Sequence, residues 1–101
     1  MSGTKIGIVT VTYNSGKVIE DFMSSLLVQT HENFIAYIID NASVDDTLSK
    51  VSRHNDSRIV VIANPDNRGI ASGNNQGIKQ AILIGCDQIL LINNDTVFEP
   101  Q

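Results

Sequence analysis

The amino-acid sequence predicts an α/β fold of three layers, in which a mostly parallel sheet lies between helices. Four short segments are dense in Ile, Val and Leu without strict alternation, which is typical of strands buried on both faces. Segments with apolar residues at helical spacing lie between them, so the order is β-α-β-α-β-α-β. The strands are predicted at 6–13, 34–40, 58–62 and 88–92, and the helices at 16–29, 45–54 and 70–85.

The third predicted helix contains glycine at four-residue spacing, at Gly69, Gly73 and Gly77. Each mid-helix glycine costs up to about 1 kcal/mol relative to alanine. We therefore expect a packing reason, namely a helix face without side chains that closely approaches the sheet or a ligand. The face predicted to pack inward consists of Ile70, Asn74, Gly77, Ile78, Ala81 and Ile82.

Length, charge and cysteine content exclude several classes of protein. The chain has 101 residues and ends just after the fourth predicted strand, so we expect residues 1–101 to be a single, partial, truncated domain. The net charge is −4 and the seven Lys and Arg are scattered, which argues against nucleic-acid binding. The single cysteine, Cys86, and the lack of a signal peptide or a bilayer-length apolar run favour the cytoplasm. Peripheral membrane association of a full-length protein stays open.

Polar residues follow all four predicted strands. In open α/β sheets, ligands bind beyond the carboxyl ends of the strands, so four polar corners on one edge predict a binding site. The corners are Thr12-Tyr13-Asn14, Asp40-Asn41-Ala42-Ser43, residues 64–69, and Asn93-Asn94-Asp95.

Three charged residues at these corners each allow two interpretations. Asp40 could accept a hydrogen bond from a nucleotide base or a ribose hydroxyl, or it could close the turn before the second helix. Arg68 could pair with a phosphate or lie exposed. Asp95 could bind a hard divalent cation that neutralises a departing pyrophosphate, or it could be an ordinary loop residue.

Four segments in series resemble the motifs of family 2 glycosyltransferases, which have the GT-A fold. The segments are 9–14 for the opening strand, 38–47 for the second motif, 67–77 for the third, and 90–95 for the segment holding the D-x-D element. Their order and spacing match over nearly the whole chain. The third is most similar to the rhamnosyltransferase-like branch of the family.

The resemblance implies a donor-binding half of an enzyme that moves a sugar from a UDP- or dTDP-linked donor to an acceptor hydroxyl, in cell-surface polysaccharide synthesis. It implies that Thr12, Tyr13 and Asn14 line the nucleotide pocket. Asp40 would bind the pyrimidine base, and Arg68 would lie near the base or the phosphates.

The resemblance also implies a divalent cation, Mg²⁺ or Mn²⁺, at the fourth corner. Asp95 would be its ligand. Asn93 stands where the family has the first Asp of the D-x-D element, so it can hydrogen-bond the ribose or the sugar but brings no charge. The catalytic base of the family would lie downstream of Gln101, and we therefore expect the isolated chain to be inactive.

Two alternatives to a glycosyltransferase remain from the residues themselves. One is a non-catalytic nucleotide-binding or self-associating module of the same fold, in which the exposed sheet edge would favour a homo-oligomer. The other is a nucleotidyltransferase. Such enzymes usually carry a glycine-rich, basic first loop, whereas here only Lys17 lies near that loop.

Overall fold

The computed structural model of the protein describes residues 5–28, 33–54 and 56–92. These residues form the predicted order of strands and helices, with boundaries within three residues of those expected. The elements are β1 (Ile6–Thr12), α1 (Ile19–Leu27), β2 (Phe34–Asn41), α2 (Thr47–Ser52), β3 (Ile59–Asn64), α3 (Gly69–Leu83) and β4 (Gln88–Leu91).

The four described strands form one parallel sheet in the order β3-β2-β1-β4. Its register pairs Thr12 with Asp40, at the carboxyl ends of β1 and β2, and Asn41 with Asn64, at the ends of β2 and β3. The polar corners after these three strands therefore meet at one edge of the sheet. The parallel α/β arrangement expected from the sequence is confirmed.

Each face of the sheet has its own apolar core. On one face, α1 and α2 pack on β1 and β2 through completely or nearly completely buried side chains. On the other face, Ala81 of α3 packs with Val9, Tyr37 and Ile39. Cys86 packs against this second core, and burial raises the pKa of its thiol. The members of the first core are Ile8, Ile19, Phe22, Met23, Leu26, Phe34, Ala36, Ile38 and Val51.

Small residues, and not the expected isoleucines, form the face of α3 that contacts the sheet. Gly73, Gly77 and Ala81 are buried, whereas Ile70 and Ile82 are 68 % and 62 % exposed. A Cβ on Gly73 would lie 2.8 Å from a methyl carbon of Val11, and a Cβ on Gly77 would overlap Val9. The predicted inward face is thus rotated from the real one, because the helix backbone approaches β1 more closely than large side chains would permit.

Among the described residues, none of the helices combines the length and apolar character that crossing a bilayer requires.

We expect Gly77→Ala to lower the free energy of unfolding. The added methyl group would collide with Val9 on the central strand β1. Overpacking should outweigh the better helix propensity of alanine and leave a net loss of about 1–2 kcal/mol. Urea unfolding followed by circular dichroism measures this loss. Asn75→Ala on the exposed side of α3 is the control and should be neutral or slightly stabilising. Equal stability of Gly77→Ala and wild type would contradict the close contact.

Candidate functional site

The sheet order creates a crevice at its carboxyl edge. From β1 the chain passes to β2 and β3 on one side, whereas β4 lies on the other side of β1. Helices α1 and α2 lie on one face of the sheet and α3 on the opposite face. The carboxyl ends of β1 and β4 are therefore a topological switch point, the place where open α/β sheets bind ligands.

A cavity of about 60 Å³ opens at this switch point. It is lined by Val11 at the end of β1, by Ile70 and Asn74 of α3, and by Leu91 and Ile92 at the end of β4. Since ligand pockets usually measure about 300–1,000 Å³, this cavity would hold a fragment of a ligand and not a nucleotide. The predicted residues Asn93, Asn94 and Asp95 follow it directly in the sequence and lie outside the described residues.

Asp40 is completely buried and its carboxylate is fully engaged. One carboxylate oxygen accepts hydrogen bonds from the Thr12 hydroxyl at 2.5 Å and from the Ser43 hydroxyl at 2.6 Å. The other accepts the backbone N–H of Ser43 at 2.9 Å. These contacts satisfy a group that would otherwise be very costly to bury. They match the interpretation of Asp40 as the residue that closes the turn after its own strand.

Thr12 is also completely buried, so neither Thr12 nor Asp40 offers surface to a ligand in this arrangement. The direct contact of these two side chains with a nucleotide stays a prediction. Tyr13, the next residue of the same corner, is 51 % exposed, and Asn14 is exposed as well. The accessible part of the corner is therefore Tyr13 and Asn14, supported from below by the Thr12–Asp40 pair.

The loops after β1 and β2 each contain one residue with left-handed backbone. These are Asn14, at φ 50°, and Ala42, at φ 62°. Asn14 donates its backbone N–H to the Ser43 hydroxyl at 2.8 Å, and its side-chain oxygen accepts the Val44 N–H at 2.9 Å. Asparagine tolerates this conformation, whereas a residue such as alanine pays about 1–2 kcal/mol for it. Strain of this kind persists where surrounding contacts enforce it, which is a recurrent property of functional sites.

A second group of hydrogen bonds joins the same two loops. Ser15 N–H donates to the Thr47 hydroxyl at 2.8 Å, Gly16 N–H donates to Asp45 at 3.0 Å, and the Lys50 ammonium donates to the Gly16 carbonyl at 2.6 Å. These bonds hold residues 15 and 16 against the loop after β2, and α1 begins at Ile19 and not at residue 16. The sequence predicts Asp45 only as an acid near a helix N-terminus. The sequence around Asp45 gives no indication of its hydrogen bond to Gly16, which lies 29 positions away.

Arg68 lies at the neighbouring corner, between β3 and α3. Its side chain is 43 % exposed and donates to the carboxylate of Asp66 at 3.0 Å. Gly69, the first residue of α3, has φ +82°, and its N–H donates to the side chain of Asn67 at 2.9 Å. Arg68 is thus an accessible cation at the carboxyl edge, and its contact with a nucleotide stays a prediction.

Three buried or partly buried amides, Asn41, Asn64 and Gln76, lie beside this corner. The sequence places Asn41 and Asn64 among the polar corners but gives none of the three an individual role. The available signal is positional. Asn41 and Asn64 follow apolar strand residues, at positions two after Ile39 and Ile62, where the inward alternation would call for another apolar side chain.

No group of three or more His, Cys, Asp and Glu side chains suited to a metal ion occurs within residues 5–28, 33–54 and 56–92. Mg²⁺ and similar ions need only one or two carboxylates when substrate phosphates supply the other ligands. The carboxylate of Asp40 does not fit this task as arranged, because hydrogen-bond donors already surround it. The expected ligand, Asp95, lies outside the described residues.

Sequence comparison decides the family. The profile described as glycosyl transferase family 2 matches residues 7–101. The chain belongs to this family. A poly-β-1,6-N-acetyl-D-glucosamine synthase of Staphylococcus aureus is 33 % identical over 90 residues, which are 86 % of the chain and 21 % of the synthase. An Escherichia coli UDP-Glc:α-D-GlcNAc-diphosphoundecaprenol β-1,3-glucosyltransferase is 34 % identical over 76 residues, which are 75 % of the chain and 30 % of that enzyme.

Solved glycosyltransferase structures share the fold. TarS of S. aureus in complex with UDP-GlcNAc superimposes with a TM-score of 0.79 at 26 % identity, over 91 % of this chain and 27 % of the TarS chain. A Pyrobaculum calidifontis mannosyltransferase in complex with GDP-Man and Mn²⁺ gives a TM-score of 0.84 at 22 % identity, over 93 % and 28 % of the two chains. The GT-A assignment of the three-layer fold is thereby confirmed. The family 2 chain described here spans less than a third of each of these proteins.

We expect acid to weaken the contact between the two loops through Asp45. The Thr47 hydroxyl, with smaller help from the backbone N–H groups of Thr47 and Gly16, lowers the pKa of Asp45 from its ordinary 3.8 against the opposing effect of burial. The unfolded chain therefore binds the proton more tightly. The stabilisation is complete above about pH 5 and is lost as the pH falls through 3.8 toward the folded pKa.

Asp45→Asn removes this pH-dependent contribution. Its urea midpoint should lie below that of wild type at pH 6, and the difference should narrow by pH 3. Asp21→Asn, on the exposed side of α1, is the control and should run parallel to wild type. A constant difference between Asp45→Asn and wild type from pH 6 to pH 3 would show that this carboxylate carries no such contribution.

Proposed function

We propose that the chain is the donor-binding part of a glycosyltransferase that moves a sugar from a nucleotide-diphosphate sugar to an acceptor hydroxyl, in cell-surface polysaccharide synthesis. The family match over residues 7–101 carries this proposal. UDP is the favoured nucleotide and dTDP the second choice, because TarS binds UDP-GlcNAc and the E. coli relative is named for UDP-Glc. The half-buried single cysteine is compatible with the cytoplasmic location that we also propose.

The geometry of the carboxyl edge supports distinct roles for the site residues. Tyr13 and Asn14 have accessible surface, so they would contact the base and the ribose. Thr12 and Asp40 would act from below by holding that corner rigid. Arg68 is exposed at the adjacent corner, where its guanidinium would pair with the diphosphate or reach the base.

A divalent cation, Mg²⁺ or Mn²⁺, belongs to the proposal. Asp95 would be its protein ligand, and Asn93 would hydrogen-bond the ribose or the sugar without adding charge. When bound, such an ion neutralises the pyrophosphate as it leaves the sugar. The mannosyltransferase of the same fold was solved with Mn²⁺, which supports a divalent ion in this family.

Transfer itself requires a base that we propose lies beyond residue 101. In an inverting reaction the base takes the proton of the acceptor hydroxyl, the hydroxyl oxygen bonds to the anomeric carbon, and the nucleoside diphosphate leaves with the bonding electrons. The described residues would supply donor-binding groups to this scheme. We therefore propose that residues 1–101 form part of a larger domain and bind the donor without turnover.

Calorimetric titration of UDP, UTP, dTDP and GDP, with and without Mn²⁺, tests the proposed function. We expect Mn²⁺-dependent binding of a pyrimidine diphosphate, which Asp95→Ala weakens about tenfold or more, the equivalent of about 1.4 kcal/mol. Asp21→Ala on α1 is the control and should bind as wild type does.

Other results of the same titration would favour the alternatives. Stronger binding of UTP than of UDP would favour a nucleotidyltransferase. A folded chain that binds none of these nucleotides would favour a non-catalytic module. Sugar transfer by the isolated chain at the rate of a complete enzyme would overturn the placement of the base.

Self-association is a second candidate property, because β4 is an edge strand of the described sheet. It pairs with β1 on one side, and Leu90 and Leu91 are 45 % and 52 % exposed. Exposed apolar edge strands pair readily with other chains, so we propose a homo-oligomer of this chain through β4.

Leu90→Lys should shift the sedimentation velocity of the chain to that of a monomer, since a charge on an edge strand opposes edge-to-edge pairing. Val61→Lys, on the opposite edge strand β3, is the matched control and should leave the oligomer intact. A monomeric wild type, or equal effects of both substitutions, would rule out association through β4.

A further inference from the structure

Two buried asparagines end neighbouring strands on the face of the sheet that α3 covers. Asn41 and Asn64 are register partners at the ends of β2 and β3, and they are 1 % and 7 % exposed. They follow Ile39 and Ile62, which belong to the apolar core under α3. Because a buried amide without partners destabilises a protein, these two side chains need hydrogen bonds.

A third amide, Gln76 of α3, completes a continuous chain of hydrogen bonds. The Asn64 amide group donates to the Asn41 side-chain oxygen at 2.8 Å and to the Gln76 side-chain oxygen at 2.7 Å. The Gln76 amide group donates back to the Asn64 oxygen at 2.9 Å. Asn64 and Gln76 thus form a reciprocal pair, which joins the middle of α3 to the ends of β2 and β3.

The same chain reaches the first residue of α3. The Asn41 amide group donates to the backbone carbonyl of Gly69 at 3.0 Å. Gly69 has a left-handed backbone, and a Cβ there would meet open space, so the turn is set by its conformation and by its hydrogen bonds and not by packing. The hydrogen bond from Asn41 therefore holds the carbonyl of Gly69 in place, directly after residues 66–68 in the chain.

We propose that the amide chain Asn41–Asn64–Gln76 positions the corner between β3 and α3, and with it Arg68, for the bound nucleotide. These amides are positioning residues, since none of them needs to touch the ligand. The inference rests on the proposed function for the role of Arg68. It adds that three residues to which the family resemblance gives no role control the position of Arg68.

The physical basis is preorganisation. Arg68 is 43 % exposed and pairs with Asp66, which is 71 % exposed, so this surface ion pair fixes the arginine weakly. A long side chain that must be ordered on binding loses affinity, whereas one whose backbone is already held loses less. The amide chain holds the backbone next to Arg68 through the bond from Asn41 to Gly69, on the buried side of the corner.

Gln76→Met tests the positioning directly, without a ligand. The substitution keeps the length and bulk of the side chain but removes both hydrogen bonds to Asn64. We expect the backbone amide of Gly69 to exchange with solvent severalfold faster, while amides of β1 keep their rates. Gln80→Met, one turn further on the exposed side of α3, is the matched control and should change neither the Gly69 exchange rate nor those of β1. An unchanged rate at Gly69 in folded Gln76→Met would overturn the inference.

A conservative variant covers the case in which Gln76→Met does not fold. Gln76→Glu keeps the oxygen that accepts from Asn64 and loses the amide that donates back. Its Gly69 exchange rate should lie between those of wild type and Gln76→Met. An exchange rate equal to that of wild type would mean that the reciprocal pair does not hold the corner.

A double-mutant cycle on nucleotide binding connects the amide chain to Arg68. We expect Gln76→Met to raise the Kd for UDP by about three- to tenfold, the scale of a loosened supporting contact. In the Arg68→Ala background the same substitution should change the Kd by less than about twofold. A purely structural effect would instead weaken binding equally in both backgrounds, and that result would overturn the inference.

Failure of the proposed function gives a different pattern from failure of the inference. If Arg68→Ala leaves the Kd for UDP unchanged, Arg68 does not bind the nucleotide and the positioning role for binding is refuted. If wild type does not bind UDP at all, the donor-binding proposal fails. The exchange rate at Gly69 then decides separately whether the amide chain holds the corner.

Discussion

The buried carboxylate of Asp40 is the constraint on which the carboxyl edge of the sheet depends. A carboxyl group with no exposed surface needs hydrogen-bond partners within the protein, and Thr12 and Ser43 provide them. Meeting this need turns the chain back at Ala42 and brings Ser43 within reach of Asn14. The arrangement of the two loops thus follows from one requirement, which is to supply hydrogen bonds to the buried Asp40 at the ends of the central strands.

The opposite face of the sheet meets a different requirement, which is backbone proximity. Gly73 and Gly77 let α3 lie directly on β1, and this closeness brings Gln76 within hydrogen-bonding distance of Asn64 at the end of β3. Polar contacts near the site on this face therefore depend on the absence of side chains one turn away. The carboxyl edge of the sheet is therefore supported on one face by the Asp40 contacts and on the other by the close approach of α3.

The order of strands and helices could be predicted because dense Ile, Val and Leu in short runs indicate doubly covered parallel strands. The close approach of α3 to the sheet could be predicted from the spacing of Gly73 and Gly77. The complete inward face could not, since periodicity gives weight to large apolar residues such as Ile82, which is exposed. The strand-end rule correctly predicts that the corners of Thr12 and Asp40 lie at one edge of the sheet. It carried no signal for their burial or for the bond from Gly16 to Asp45, since these depend on which loops become neighbours in space.

The hydrogen bonds that build the corner join residues distant in sequence. Thr12 and Asp40 are 28 positions apart, Asn14 and Ser43 are 29 apart, and Ser15 and Thr47 are 32 apart. The chain must close a loop of this size before any of these contacts forms. One closure brings all three pairs together, so the loss of conformational entropy occurs only once. We therefore expect the corner to appear late in folding and in a single step. Any fluctuation that separates β1 from β2 would dismantle it as a whole, so the integrity of the site reports on the pairing of these two strands.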